Sequence, residues 1–262
     1  MKMKFYQVDA FTNRLFGGNP AAVCLPGQWP SDKLMQSVAG ENNLSETAFV
    51  VRTEKGYDIR WFTPAVEVDL CGHATLASAW VIFNQCGFAG DEILFYSPRS
   101  GELKVRKSGE KLFLDFPADV FVSCDCPAEI REGLGLAPLE VYRGKTDYLA
   151  VVATEQEVHN IRPDYRAVGM LDARGLIVTA PGDTVDFVSR FFGPQSGVDE
   201  DPVTGSAHTT LIPYWASRLG KSKLLASQVS ARVGMLECEH KPPRVIIGGE
   251  AVLFASGEIF LP

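Results

Sequence analysis

The stretch Asp69-Leu-Cys-Gly-His-Ala-Thr-Leu-Ala-Ser-Ala-Trp80 decides how we interpret the fold of this chain. Residues 70–90 contain no Asp, Glu, Lys or Arg, and residues 74–83 are apolar on nearly every face of a helix. That pattern is typical of a helix buried inside a protein rather than one on its surface. The helix is predicted to begin at Gly72-His73, where its unpaired backbone N–H groups need an anion or a polar partner.

A second stretch echoes the first, in Asp201-Pro-Val-Thr-Gly-Ser-Ala-His-Thr-Thr-Leu-Ile-Pro-Tyr-Trp215. Residues 202–217 are again free of charge, and Gly205-Ser206-Ala207 matches Gly72-His73-Ala74. Pro213 removes a backbone donor, so we expect it to kink or shorten this second buried helix.

The residues that precede the two stretches also match. Arg60-Trp-Phe-Thr-Pro64 corresponds to Arg190-Phe-Phe-Gly-Pro194, an offset of 190 − 60 = 130 residues. A duplicated half of this length indicates two lobes rather than a solenoid. We expect an N-terminal lobe over residues 1–117 and a C-terminal lobe over residues 118–262, whose last strands could also pack back on the first lobe.

Composition limits the classes of function. The chain has 262 residues, 46% of them hydrophobic and 22% charged, which is enough for one large or two ordinary cores. A net charge of −7 without any cluster of Lys and Arg argues against a nucleic-acid partner. The N-terminus carries no signal pattern and no apolar run is long enough to span a membrane, so we expect a cytoplasmic protein without a membrane partner.

Further strands and helices follow from local patterns along the chain. Strands are predicted at 5–9, 21–25, from 47, and at 57–62, 93–97, 102–107, 111–116, 147–153, 176–179, 245–247, 250–254 and 256–260. Helices are predicted from Ser31, as N-cap, to about residue 42 and near residues 126–133.

Two polar residues stand where strands begin. The turn Gly17-Gly18-Asn19-Pro20 places Asn19 at the foot of a returning strand, although Asn is also an ordinary turn residue. Glu46 is the one carboxylate between a polar loop and the strand that starts at Thr47. Taken alone, Glu46 is better explained as an exposed side chain without a function, because Glu is almost never buried without a partner.

Cofactor and metal signatures are missing. The sequence has no Gly-x-Gly-x-x-Gly after a strand, no Walker loop, no Gly-x-Ser-x-Gly elbow and no His-Glu-x-x-His. The six cysteines lack the spacing of a zinc site or a disulfide scaffold, so we interpret them as reduced thiols. We therefore predict side-chain chemistry without a cofactor or a metal. Pseudo-twofold packing of the two helix starts across one cleft would suit proton transfer beside a carboxylate.

Five motifs in order resemble the phenazine-biosynthesis PhzF-like family, which shares the fold of diaminopimelate epimerase. They are Phe5-Tyr-Gln-Val-Asp-Ala-Phe-Thr-Asn, Gly18-Asn-Pro-Ala-Ala-Val23, Leu44-Ser-Glu-Thr-Ala-Phe49, Asp69-Leu-Cys-Gly-His-Ala-Thr-Leu-Ala77 and Asp201-Pro-Val-Thr-Gly-Ser-Ala207. The resemblance covers essentially the whole chain. It implies an α+β fold of two similar lobes, each a curled, mostly antiparallel sheet around a central buried helix, with the active site between lobes and usually a homodimer. The founding activity is a cofactor-free isomerisation of trans-2,3-dihydro-3-hydroxyanthranilate.

The resemblance also implies roles for individual residues. The family's acid-base Glu falls on Glu46, its His on His73, and its Asp and Ser on Asp201 and Ser206. Glu46 would move a proton on a small carboxylate-bearing substrate, with His73 and Asp201 holding or protonating it. Residues expected to bind the substrate are Asn19, Ser45, Gly72, Thr204 and Gly205, and the glycine N–H groups would hold the carboxylate without a Lys or Arg.

Alternatives to these roles stay open. His73 and Ser206 are also explained as helix caps, and Asp201 as a residue that orders its loop. Cys71 is consistent with a two-thiol racemase, but the second motif has no Cys to act from the other side of the reacting carbon. A small-molecule binding protein without turnover is the third possibility, against which Glu46, His73 and Asp201 argue together.

Overall fold

The computed structural model describes residues 2–261, so Met1 and Pro262 lie outside the described part. The chain divides into two compact units, residues 2–115 with 248–261 and residues 116–247. The end of the chain thus belongs to the unit that contains its beginning. Among the helices of residues 2–261, none combines the length and the apolar character that crossing a membrane requires.

The secondary structure contains eighteen strands and six α-helices in the described residues. In chain order they are β1 (Lys2–Ala10), β2 (Asn19–Leu25), α1 (Asp32–Asn42), β3 (Glu46–Thr53), β4 (Gly56–Phe62), β5 (Glu67–Val68), α2 (Gly72–Gln85), β6 (Glu92–Ser97), β7 (Gly101–Ser108), β8 (Lys111–Pro117), β9 (Val122–Ser123), α3 (Ala128–Leu134), β10 (Glu140–Arg143), β11 (Asp147–Val151), α4 (Glu155–Asn160), α5 (Tyr165–Val168), β12 (Gly175–Pro181), β13 (Phe187–Gly193), β14 (Val198–Asp201), α6 (His208–Leu219), β15 (Lys223–Gln228), β16 (Gly234–Lys241), β17 (Arg244–Gly249) and β18 (Ala251–Phe260).

The first unit is a mixed sheet with one helix buried against it. β1 pairs antiparallel with β18 and with β2, β2 runs parallel to β3, and β3 pairs antiparallel with β4. β4 pairs with β5 and runs parallel to β6, which begins the β6–β7–β8 meander. α2 packs against β1, β2 and β3, and eleven of its fourteen residues are buried. The prediction of a buried helix that begins at Gly72 is therefore confirmed.

The second unit repeats this connectivity. β10 pairs antiparallel with β11, β11 runs parallel to β12, and β12 pairs antiparallel with β13. β13 then pairs with the short β14, runs parallel to β15, and β15 pairs with β16. With α6 in place of α2, this is the order of β1 to β7. The predicted α+β fold of two pseudo-symmetric lobes is confirmed, and its sheets are mixed rather than purely antiparallel.

An arginine–glutamate pair marks the repeat at the level of side chains. Arg60 Nε donates to Glu67 Oε1 over 2.7 Å, and Arg190 Nε donates to Glu200 Oε1 over 2.7 Å. Each guanidinium also lies over the phenylalanine two residues further on, Phe62 or Phe192. The spacings are 67 − 60 = 7 and 200 − 190 = 10 residues. They differ by three residues, as do the gaps from Pro64 to Gly72 (72 − 64 = 8) and from Pro194 to Gly205 (205 − 194 = 11).

Local predictions mostly agree with the structure. Ser31 caps α1 by accepting a hydrogen bond from the N–H of Leu34, and all six cysteines are free thiols. The two strands predicted at 250–254 and 256–260 are wrong, because β18 is continuous. Its pairing with β1 shifts between Gln7 and Val8, so Phe254 is the extra residue of a bulge.

Candidate active site

Glu46 and His73 meet in the first unit. Glu46 is the first residue of β3 and His73 the second residue of α2, and these elements pack together. Glu46 Oε2 lies 3.3 Å from His73 Nε2, without the alignment of a full hydrogen bond. The side chains are 16% and 3% exposed. A carboxylate and an imidazole at this distance, largely shielded from water, form a candidate acid-base pair.

Asn19 determines which nitrogen of His73 carries the proton. Its amide Nδ2 lies 3.1 Å from His73 Nδ1, and because an amide N–H is only a donor, Nδ1 accepts. The proton of the neutral ring then sits on Nε2, facing Glu46. Burial lowers the pKa of His73 to about 3, so the ring is neutral near pH 7.

The loop before β2 needs glycine to bring Asn19 to this position. Gly18 has a φ of +58°, and a Cβ there would lie 2.0 Å from the carbonyl oxygen of Ala10. Asn19 follows as the first, fully buried residue of β2. The turn therefore serves to place a polar side chain rather than only to reverse the chain.

Other predicted residues lie around the same pair. Gly72 is buried at the first position of α2, and Ser45 is half-buried in the bend before β3. Cys71 is the N-cap residue of α2, but its side chain does not cap the first turn. Its Sγ instead lies 3.5 Å from His73 Nδ1, on the side of the ring away from Nε2.

Glu46, Cys71 and His73 also form a group, found among residues 2–261, whose side chains are of the kinds that bind metal ions. Each offers a ligand atom, and these atoms lie within 4.8 Å of one another. Cys71 and Glu46 approach opposite nitrogens of the ring, however, and one ion binds only one of them. The arrangement as it stands suits proton transfer better than a closed metal site.

The second unit holds Asp201 and Thr204 through a buried amide. Thr204 Oγ1 donates to Asp201 Oδ2 over 2.6 Å. Gln228, on β15 and fully buried, accepts from the backbone N–H of Thr204 at 2.8 Å and donates to the carbonyl of Asp201 at 2.7 Å. The segment 201–204, which leads from the end of β14 into the loop before α6, is thereby fixed at both ends.

The helix of the second copy begins three residues later than predicted. Residues 205–207 form a tight turn in which the N–H of His208 donates to the carbonyl of Gly205, and α6 starts at His208. The reason is a competing donor, because the carbonyl of Thr204 accepts the Nδ1–H of His208 at 2.9 Å. Gly205 and Ser206 therefore precede the helix. α6 continues through Pro213 to Leu219, so the expected shortening at the proline does not occur, and the 12 residues of α6 against 14 in α2 reflect the later start.

Ser206 has an arginine neighbour that the sequence analysis missed. Arg174 Nη1 donates to Ser206 Oγ over 2.9 Å, and the same guanidinium binds Asp147 through Nε and Nη2. An arginine thus lies beside one of the predicted site residues, whereas the sequence analysis expected the carboxylate to be held without Lys or Arg. Arg174, Asp147 and Gln228 lie far from both motifs in sequence. The sequence repeat did not identify Arg174, because the offset of 130 residues matches it with Leu44 (174 − 130 = 44). Only strand pairing places Arg174 at the position of Ser45, beside the position of Glu46.

Comparisons with known proteins agree with this fold. The family model described as phenazine biosynthesis-like protein matches residues 8–257. An uncharacterized isomerase of Pseudomonas aeruginosa is 51% identical over 261 residues, with both chains fully covered. A crystal structure of a phenazine biosynthesis protein of the PhzF family from Enterococcus faecalis superposes with a TM-score of 0.95 at 50% identity, again over both full chains.

A more distant structure extends the likeness of the fold alone. A predicted epimerase from Pseudomonas aeruginosa superposes with a TM-score of 0.75 at 18% identity and covers 99% of this chain and 100% of its own. The resemblance drawn from five motifs is thus supported by family model, relatives and structures along the whole length of the chain. We conclude that the protein is an isomerase and belongs to the phenazine biosynthesis-like family.

Proposed function

We propose that this isomerase works without a cofactor and moves a proton on a small carboxylate-bearing substrate, with Glu46 as the general acid and base. The observation that carries the proposal is the contact of Glu46 Oε2 with the Nε2 of a neutral histidine, 3.3 Å away in a shielded place. A neutral N–H donor steadies a carboxylate without neutralising it.

The proposed reaction conserves electrons and atoms. Glu46 as carboxylate removes a proton from a carbon acidified by a neighbouring π-system, and the electron pair of that C–H bond delocalises into the substrate. The same carboxyl group then returns the proton to a different carbon. His73 keeps its own proton, since burial holds its pKa near 3 and it is a poor base.

The repeat supports a single base. Strand pairing places Gly175, the first residue of β12, at the position of Glu46. A Cβ at Gly175 would lie 2.4 Å from the ring of Phe191 and 2.7 Å from the carbonyl oxygen of Phe192, so the second unit has no room for a side chain there. Packing therefore leaves no room for an acid-base side chain at this position of the second unit, and only the first unit carries one there.

A thiol mechanism remains the second candidate because Cys71 Sγ lies 3.5 Å from His73 Nδ1. The corresponding residue in the second copy is Thr204, whose hydroxyl donates to Asp201. Symmetric racemisation by two thiols is disfavoured for this reason. If Cys71 only packs, Cys71→Ala keeps most of the activity, whereas loss of activity with an intact fold would favour a thiol base.

Exchange of substrate hydrogen with solvent tests the main proposal. The protein is incubated in D₂O with cyclic and amino-acid carboxylates, and deuterium incorporation is followed by mass spectrometry. Glu46→Gln should lower the exchange rate at least ~10²-fold with folding intact, because the base is lost while the shape is kept. Glu41→Gln, on the exposed side of α1, is the matched control and should exchange like the wild type.

Two outcomes contradict the proposal. Exchange by Glu46→Gln at the wild-type rate would remove Glu46 from the mechanism, and no exchange with any carboxylate would remove the proton shuttle. Cofactor independence predicts that exchange survives dialysis against a chelator. The proposed homodimer predicts a mass of twice 28.6 kDa by light scattering, and a single-chain mass would contradict it.

A further inference from the structure

Trp61 carries a buried hydrogen-bond donor without an acceptor. The residue lies in β4 and is fully buried, and no acceptor among residues 2–261 binds its indole Nε1–H. A buried tryptophan normally finds a partner for this group, because an unpaired donor removed from water costs free energy. Trp215, which is also deeply buried, follows this rule and donates to Thr179 Oγ1 over 3.0 Å. The unpaired donor of Trp61 therefore needs a physical reason.

Strand pairing puts Trp61 beside Glu46. Ala48 is the direct partner of Trp61 in the β3–β4 pair, and directly opposed residues share one face of a sheet. Glu46 lies two residues before Ala48 and has the same face, because side chains alternate along a strand. That face meets α2, since Glu46 contacts His73. Trp61 and Glu46 are thus diagonal neighbours, a separation that an aromatic side chain spans.

The second copy shows how far a ring at this position reaches. Phe191 corresponds to Trp61 by the offset of 130 residues, and Gly175 corresponds to Glu46 by strand pairing. Phe191 opposes Ile177, two residues after Gly175. A Cβ on Gly175 would nevertheless lie only 2.4 Å from Cζ of Phe191, so this ring extends over the position of the base. The same pairing brings the indole of Trp61 to the side chain of Glu46.

The indole group differs in character from its polar neighbours in this unit. His73 has a contact at each ring nitrogen, one with Asn19 and the other with Glu46. Trp61 Nε1–H binds no group of residues 2–261. An indole N–H is a donor only and does not act as a base, so it has no part in the proton transfer itself. It is suited to bind an acceptor on a molecule that enters the site.

We propose that Trp61 Nε1–H donates a hydrogen bond to the substrate, at the oxygen or nitrogen conjugated to the carbon that loses its proton to Glu46. This rests on the proposed function for the reaction. When the proton leaves, the electron pair of the C–H bond delocalises onto that atom, and a fixed donor stabilises it more in the transition state than in the bound substrate. Trp61 thus selects substrates with a conjugated acceptor, because any other substrate leaves the buried donor unpaired.

NMR of the indole groups tests the contact in the intact protein. The chain has four tryptophans, and the indole N–H signal that is missing in Trp61→Phe belongs to Trp61. Saturating 2-aminobenzoate, a planar carboxylate with acceptors conjugated to its ring, should move the Trp61 signal to lower field and slow the exchange of its hydrogen with D₂O. The Trp215 signal should stay in place, because that N–H already binds Thr179.

Kinetics of Trp61→Phe test the stabilisation of charge. The change removes the donor and keeps an aromatic ring, and the second copy has phenylalanine at this position. With the carboxylate that exchanges fastest in D₂O, kcat should fall at least ~10-fold and KM should change less than ~3-fold, because the donor acts mainly in the transition state. Trp215→Phe is the matched control. It breaks a hydrogen bond, so it should lower the free energy of unfolding more than Trp61→Phe does and leave kcat unchanged.

Three results would overturn the proposal. If 2-aminobenzoate does not bind, or binds without moving the Trp61 signal, the donor does not reach a ligand. If folded Trp61→Phe keeps the wild-type kcat, the donor does not stabilise the developing charge. Glu46→Gln distinguishes this proposal from the proposed function, because it should lose exchange and keep the movement of the Trp61 signal. Wild-type exchange by Glu46→Gln with a moving Trp61 signal would remove the base and leave the donor.

Discussion

At the scale of single residues, Asn19 has the most specific task. It forces Nδ1 of His73 to accept and so puts the ring proton on Nε2, towards Glu46. Asn19→Asp replaces a donor by an acceptor. The ring must then protonate Nδ1, which leaves Nε2 either as a lone pair against the carboxylate of Glu46 or as part of a charged ring in a buried place.

We therefore expect Asn19→Asp to lower the deuterium exchange rate by at least ~10-fold, because the proposed general base Glu46 then no longer faces a neutral N–H of His73. Long-range ¹H–¹⁵N NMR of the imidazole reports the tautomer directly. The wild type should show protonated Nε2 and Asn19→Asp protonated Nδ1. The control is Asn84→Asp at the exposed end of α2, and an unchanged His73 spectrum in Asn19→Asp would contradict the tautomer assignment.

At the scale of elements, the arginine–glutamate pairs hold the short return strands β5 and β14, which precede α2 and α6. Arg190 is the more deeply buried of the two arginines. It binds Glu200 through two nitrogens and donates to the carbonyls of Val158 and Ile161. Removing it leaves a carboxylate and two carbonyls without their donor.

Arg190→Met should accordingly lower the free energy of unfolding by about 3 kcal/mol or more, measured by urea denaturation. The double variant Arg190→Met/Glu200→Met should recover part of this loss, because Glu200→Met removes the carboxylate that Arg190→Met leaves without its partner. Lys241→Met breaks the exposed pair with Glu239 and should cost less than ~1 kcal/mol. Equal effects of Arg190→Met and Lys241→Met would show that the buried pair does not hold β14.

At the scale of the whole molecule, each unit buries one neutral histidine. Burial lowers the pKa of His73 to about 3 and that of His208 to about 4, against 6.5 in an unfolded chain. Between these values the unfolded chain binds more protons than the folded one. Stability from this source is complete above pH 6.5 and is lost as the pH falls towards 4.

Each histidine should therefore reduce the free energy of unfolding by about 1.4 kcal/mol for every pH unit between its ordinary pKa and its lowered pKa in the folded chain. Urea denaturation at a series of pH values from neutral to acidic measures how the free energy of unfolding changes with pH. His208→Asn keeps a donor for the carbonyl of Thr204 but does not titrate, so it should flatten the slope, whereas His159→Asn on the exposed end of α4 should not. An unchanged slope in His208→Asn would contradict the burial argument.

The sequence predicted the fold better than the site. Charge-free runs and the 130-residue repeat identified α2, α6 and the two copies, because burial of a helix requires apolar residues on all its faces. Asn19, Glu46 and His73 were named from motifs, and the structure brings them together. The helix start at Gly205 was misplaced because the side chain of His208 competes for the carbonyl of Thr204, a contact that no local pattern reveals.

What the sequence by itself determined is therefore the duplicated α+β architecture and the family, since both depend on patterns that persist along the chain. Only the tertiary structure decided how the copies differ in chemistry. Arg174 and Asp147 are 27 residues apart and Ser206 lies 32 residues beyond Arg174. Their hydrogen bonds depend on strand pairing and on packing at Gly175. Such contacts depend on distances and angles in three dimensions. Periodicity and spacing along the sequence do not reveal them.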